Sequence, residues 1–189
     1  MAIILASKSP RRRQLMQLVT QNFVVETAEV DEHAVQAANP AQLALKLAQL
    51  KAAAVFGASP GSVVVGCDTV VELDGAALGK PANQAEAIAM LTALAGRVHL
   101  VHTGVCIYQP GTNPPAAAFT ETTGVEFAPL TPADIVAYAK TDEPYDKAGG
   151  YGIQGAAARF IPRINGCYYN VMGLPVAALY NTLVRLGIL

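Results

Sequence analysis

Helix-start signals alternate with β-branched runs along this chain, and that alternation constrains its fold more than any other feature. Ser9-Pro10, Asn39-Pro40 with Gln42, Asn83 with Glu86, and Thr131-Pro132-Ala133-Asp134 each place a capping side chain ahead of an apolar segment. The first cap leads into Leu15, Met16, Leu18 and Val19. The second leads into Leu43, Leu47 and Leu50, in a helix expected to reach Phe56. Gly96 ends the third helix. Apolar or β-branched runs at residues 2–6, 23–28, 63–65, 69–73, 98–108 and 117–127 read as strands. Asp74-Gly75 is a hairpin turn signal. Residues 109–115 form a Pro/Gly-rich loop and residues 143–155 an irregular glycine-rich segment. Residues 160–164 read as a further strand and residues 174–186 as a last helix. Alternating helices and strands predict an α/β fold. No repeat, heptad or low-complexity linker divides the chain, so residues 1–189 are read as one domain.

Composition narrows the function. The chain is 52% hydrophobic and 14% charged, which excludes a disordered chain. Its 13 Lys+Arg against 14 Asp+Glu give a net charge of −1. That excludes a broad nucleic-acid or polybasic membrane surface. Three cysteines without a CxxC pair point to reduced thiols in a cytoplasmic protein. The apolar start is too short for a signal peptide, and its basic residues follow rather than precede it. Pro175, Asn181 and Arg185 interrupt the most membrane-like stretch, residues 171–189, so a core helix is expected there.

The near-zero charge hides a basic cluster at residues 8–13 and an acidic one at residues 26–32. In the first, Ser7-Lys8-Ser9-Pro10-Arg11-Arg12 runs from a strand into a capped helix. Free N–H groups and the helix dipole bind anions there, and arginine adds donors matched to phosphate. The alternative is an ordinary helix start with solvated arginines. Arginine at a helix N-terminus is unfavourable without an anion, which favours the functional reading. In Gly66-Cys67-Asp68-Thr69, a carboxylate interrupts two valine runs. Burial there is costly unless the carboxylate is paired or metal-bound, though a turn or bulge would also accommodate it. In the glycine-rich segment, Tyr151 offers a ring to stack on a base and Gln154 an amide to read its edge. The alternative is a flexible surface loop. Lys51 and Lys80, taken alone, read as solvated lysines. His33, His99 and His102 have no metal-binding spacing. Neither a GxxxxGK[ST] nor an HExxH motif is present.

Together these segments resemble the Maf family of nucleotide pyrophosphatases. The resemblance is carried by Ser7 to Arg12, Val30-Asp31-Glu32, Gly66 to Val70, Gly79-Lys80-Pro81, Thr103-Gly104-Val105, Glu143 to Gly155, and Asn170 to Pro175. They occur in the family's order over residues 3–175. The resemblance implies a Maf/HAM1 (ITPase-like) α/β fold, an elongated mixed sheet flanked by helices with a cleft between two lobes. It implies hydrolysis of nucleoside triphosphates between the α and β phosphates, with a divalent cation, Mg²⁺ or Mn²⁺. By family position, Asp68 and Lys80 are catalytic. Glu32 and Asp68 hold the metal, and Asp68 is also the candidate base. Ser7, Arg11, Arg12, Lys51, Thr69, Lys147 and Gln154 contact substrate. Arg11, Thr69 and Gln154 match the branch acting on dTTP and UTP, where the 7-methyl-GTP branch tends to carry Trp, Gln and Glu. The family also suggests a homodimer. The alternatives are a 7-methyl-GTP pyrophosphatase, or a non-catalytic nucleotide-binding regulator of septum formation. An inosine-triphosphate pyrophosphatase is disfavoured, because a glycine-rich opening is expected there. Arg13, as a third arginine, and Cys67, expected to serve packing, depart from the family pattern.

Overall fold

A computed structural model describes residues 2–189. In chain order it contains β1 (Ile3–Ala6), α1 (Pro10–Gln17), β2 (Phe23–Val25), α2 (Pro40–Ala58), β3 (Val63–Leu73), β4 (Ala76–Leu78), α3 (Gln84–Leu94), β5 (Val98–Tyr108), β6 (Ala117–Glu126) and α4 (Pro132–Ala139). Three 3-10 turns follow (Glu143–Asp146, Ala148–Gly150, Ala156–Phe160), then β7 (Arg163–Asn165), α5 (Tyr168–Met172) and α6 (Val176–Arg185). Each expected capping side chain accepts a backbone N–H. Ser9 takes that of Arg12, Asn39 that of Gln42, Asn83 that of Glu86 and Thr131 that of Asp134. The reciprocal half of a capping box forms at Thr131 alone among these, where Asp134 accepts the Thr131 N–H. Asp74 (φ 52°) and Gly75 (φ 81°) both turn left-handed and close the β3–β4 hairpin.

The sheet is mixed, in the order β2-β1-β3-β5-β6-β7, with β4 attached to β3. β1 runs parallel to both β2 and β3, while β3–β5, β5–β6 and β6–β7 are antiparallel. β5 covers one edge of β3 from Val64 to Glu72. The other edge changes partner. β1 pairs with it as far as Gly66, and β4 takes over at Val71. Cys67 to Val70 therefore have an open edge, and this gap in the sheet is the cleft.

The two faces are covered differently. On one, α2 lies alone across the sheet. Gly66 and Gly104 admit its backbone. A Cβ at Gly66 would sit 2.5 Å from the Ala48 carbonyl oxygen, and one at Gly104 would collide with that of Ala44. On the other face α1 and α6 cover Val63, Val65 and Cys67 through Leu15, Met16, Leu179 and Leu183. α3, α4 and the last 3-10 turn cover Val71, Leu73 and Val101 through Leu91, Leu94, Ile135, Tyr138 and Phe160. These two apolar clusters are the cores of the two lobes.

Several boundaries differ from expectation. Residues 63–73 form one strand through Asp68, not two, because the β5 ladder continues unbroken beneath it. The second strand stops at Val25, and β7 begins at Arg163 because Phe160 belongs to a 3-10 turn. α5 has too few residues to show a period, and Pro175 delays the last helix to Val176. No helix of the described residues is long and apolar enough to cross a membrane.

Candidate active site

The cleft encloses about 910 Å³ and is lined by Ser7, Arg11, Arg12, Glu32, Lys51, Asp68, Thr69, Lys80, Lys147 and Gln154. Residues spread over most of the chain are thus brought to one cavity. Arg13 is exposed outside it.

Strand alternation sends Asp68 and Thr69 to opposite faces of β3. Asp68 points toward α2. Lys51, carried there by the helix that Gly66 and Gly104 admit, donates to Asp68 Oδ1 at 2.5 Å and meets Glu32 Oε1 at 3.1 Å. One ammonium thus gathers both carboxylates. Asp68 is 9% exposed, and its Oδ2 has no hydrogen-bond partner among the described residues.

Thr69 points the other way, toward Arg12. The Arg12 guanidinium donates from Nε to the Gly173 carbonyl (2.8 Å) and from Nη1 to the Cys67 carbonyl (2.8 Å) and Ser7 Oγ (3.3 Å). Its Nη2 donates to Thr69 Oγ1 (2.9 Å). Arginine carries five N–H donors, so these bonds leave one unassigned. Arg12 staples α1, β3 and the start of the α5–α6 turn while presenting little of its donor capacity to the cleft. Cys67 is fully buried, and burial pushes its thiol up to about 12, which makes it a packing residue.

The glycine-rich segment forms the far wall. Asp146 joins the two sides: it accepts from Arg11 Nη1 at 3.0 Å and from Lys147 Nζ at 2.5 Å. Burial pushes the Asp146 carboxyl up, but the hydrogen bonds and charges of Lys147 and Arg11 outweigh this and hold it below the ordinary carboxylate value. Lys147 also donates to the Glu143 carbonyl oxygen at 2.7 Å. The Glu143 side chain ties the segment down by accepting from Tyr138 and from the Ala156 N–H. Lys80 and Gln154 are exposed and make no hydrogen bond or ion pair among the described residues.

Tyr151 corrects one expectation. It is 5% exposed, bonds His99 Nε2 through its hydroxyl at 2.7 Å, and packs edge-on against His99 and Phe127. Its ring belongs to the core and does not stack on a base. Lys51 is likewise no solvated lysine.

Sequence reasoning assigned no role to Thr103, Asn170, Glu143 or Asp146. Thr103 and Asn170 are fully buried and linked by hydrogen bonds to Thr69 and Thr123. Their only sequence signal was a position inside the segments that carry the family resemblance, because their partners lie far away in the chain.

A cation-lined cleft at the point where one strand changes partner defines an anion-binding α/β protein. A family model described as "Maf-like protein" matches residues 2–186, and the chain belongs to the Maf family. It is 50% identical over 185 residues to a dTTP/UTP pyrophosphatase of Symbiobacterium thermophilum, covering 98% of this chain and 94% of that one. A dTTP/UTP pyrophosphatase of Carboxydothermus hydrogenoformans is 46% identical over 187 residues, 99% and 100% of the two chains. Among solved structures, a HAM1 protein from Coxiella burnetii aligns with a TM-score of 0.53 at 17% identity, over 98% of this chain and 99% of that one. That likeness supports the α/β Maf/HAM1 fold with its mixed, helix-flanked sheet.

Proposed function

We propose that this protein is a nucleoside triphosphate pyrophosphatase acting on dTTP and UTP. The observation that carries the reading is Lys51 holding Asp68 and Glu32 together in a cleft also lined by Arg11, Lys80 and Lys147. Full-length relatives with this activity agree with it. In the proposed reaction, water attacks the α phosphorus. The bond from that phosphorus to the α–β bridging oxygen breaks, and pyrophosphate leaves with the electron pair. Asp68 Oδ2 takes the proton of the attacking water, while Lys51 on Oδ1 keeps the carboxylate oriented. Lys80, Lys147 and Arg11 neutralise charge on the phosphates, the last two by exchanging Asp146 for substrate oxygens. Thr69 and Gln154 face the base.

Glu32 and Asp68 are the residues that would hold a divalent cation. Among the described residues no group of three or more His, Cys, Asp and Glu side chains gathers to hold a metal. Two carboxylates on one ammonium still suit Mg²⁺ or Mn²⁺, since Mg²⁺ takes one or two carboxylates and completes its set with phosphate and water oxygens. When bound, the cation supplies electrostatic stabilisation of phosphate oxygens. The test is pyrophosphate release from a panel of nucleoside triphosphates with Mg²⁺ or Mn²⁺. Turnover of dTTP and UTP is expected to exceed that of ITP and 7-methyl-GTP. The reverse order would overturn the proposal.

A further inference from the structure

Thr69 and Thr103 face each other across the β3–β5 ladder with their hydroxyls 3.0 Å apart. Thr103 is fully buried, and its hydroxyl also lies 3.0 Å from the Asn170 carbonyl oxygen. A carbonyl oxygen only accepts, and a threonine hydroxyl has one proton and two lone pairs. Satisfying both contacts sends the Thr103 proton to Asn170. The Thr69–Thr103 bond must then take its proton from Thr69. Thr69 Oγ1 also accepts from Arg12 Nη2 at 2.9 Å. With its proton turned inward and one lone pair on Arg12, Thr69 has a single lone pair left for the cleft.

The far end of this chain is fixed as well. Asn170 is fully buried and donates from Nδ2 to the Val101 carbonyl oxygen at 3.0 Å and to Thr123 Oγ1 at 2.9 Å. Gln154 has no such constraint. It is exposed and without a hydrogen-bond partner among the described residues, so its amide presents either end. Thr69 is therefore the group of the two whose polarity is set in advance.

We propose that Thr103 is a specificity-determining positioning residue, which holds the Thr69 hydroxyl proton inward and so makes Thr69 an acceptor selective for pyrimidines with an imide N3–H. The inference rests on the reading that Thr69 faces the base. Uracil and thymine share the N3–H. Cytosine carries a lone pair at N3, and opposing it to the Thr69 lone pair leaves two polar groups unpaired. Thr103 itself touches no substrate.

The test compares kcat/KM for dTTP and dCTP in wild type, Thr103→Val, Thr103→Ser and Thr69→Val, with circular dichroism as the check on folding. Thr103→Val frees the Thr69 proton to point outward and donate to cytosine N3. The dTTP-to-dCTP ratio is expected to fall at least about tenfold, through a lower KM for dCTP, because wrong-polarity rejection by a fixed partner is a large effect. Thr103→Ser keeps the relay and is expected to restore the wild-type ratio. If Thr69→Val alters the ratio and Thr103→Val does not, the relay is wrong while the base-reading role of Thr69 stands. If neither alters it, Thr69 does not read the base and the inference falls with that role. Should the valine variant not fold, Thr103→Ala removes the same hydroxyl and carries the same expectation. The wild-type enzyme gives an independent check. Fluorine at C5 strengthens the N3–H as a donor, so KM for 5-fluoro-UTP at pH 6.5 is expected to lie below that for UTP. An equal or higher KM overturns the acceptor assignment.

Discussion

Asp68 and Thr69 are neighbours in sequence, yet the two faces of β3 on which they stand are built in opposite ways. On the Asp68 face the contacts are ion pairs, and the outer one, to Glu32, is open to exchange. Lys51 holds Asp68 and Glu32 together, and the Glu32 side chain is 49% exposed. On the Thr69 face the contacts are directional hydrogen bonds locked by burial. Arg12 is spent on four protein acceptors, and Thr103 and Asn170 are inaccessible. The half-exposed Lys51–Glu32 pair is worth only about 0–1 kcal/mol, so incoming phosphates and a cation displace it readily, while the more buried Lys51–Asp68 pair keeps the Asp68 carboxylate in place. A buried network of directional hydrogen bonds resists rearrangement and can read polarity. One strand serves both tasks because its edge is open between the end of β1 and the start of β4.

The largest effect should come from the exchangeable face. Asp68→Asn is expected to lower pyrophosphate release by about 10³-fold, within the range for loss of a general base. Its circular dichroism spectrum should stay that of the wild type, since asparagine keeps the shape. Near-normal turnover would move the chemistry off this face and dissolve the contrast.

Stability should report the other face. Lysine has neither the fork nor the five donors of arginine. Arg12→Lys therefore leaves the Cys67 and Gly173 carbonyls and Thr69 short of partners, and should destabilise the fold by about 2–4 kcal/mol in urea titrations. Glu32→Gln should change stability by less than about 1 kcal/mol, because its pair is half-exposed. Equal losses from the two variants would mean that the faces do not differ in rigidity.

What could be read from the sequence was short in range. Ser9, Asn39, Asn83 and Thr131 bond N–H groups three residues ahead, and the Asp74-Gly75 turn joins adjacent strands, so each is spelled out locally. Candidate site residues stood out where charged side chains interrupt an apolar chain, as at Arg11 and Asp68, whereas Glu32 and Lys80 became candidates only through the family resemblance. What Arg12 does was not, because two of its acceptors are backbone carbonyls, of Cys67 and Gly173, and carbonyls leave no mark on a sequence. Tyr151 sits among glycines and charged residues that suggest a loop. Its fate is decided by His99, 52 residues away. The continuity of β3 through Asp68 likewise depends on pairing with Gly104 of β5, far along the chain.

His99 provides the smallest and most specific test, and it belongs to the locked face. It lies on β5 four residues before Thr103, on the same side of the strand, and is 2% exposed. Nε2 meets the Tyr151 hydroxyl, the ring packs edge-on against Phe127, and Nδ1 is buried without a partner. Burial pushes its pKa from 6.5 down to about 4. On acidification the unfolded chain therefore takes the His99 proton before the folded one does. Stability should be level above the unfolded value and fall as pH drops from 6.5 toward about 4, by at most about 1.4 kcal/mol per pH unit. Asp146, held low by Lys147 and Arg11, adds a loss of the same sign, but only at and below the ordinary carboxylate range. Urea titrations at about pH 7.5, 6 and 5 stay above the ordinary carboxylate range and so leave Asp146 out, and comparison with His99→Gln isolates the share of the slope that belongs to His99. His99→Gln should be less stable at neutral pH and should lose most of the slope between pH 6 and 5. If the variant keeps that slope, the proton enters elsewhere, and the wall of the cleft that carries Tyr151 is not secured by a neutral histidine.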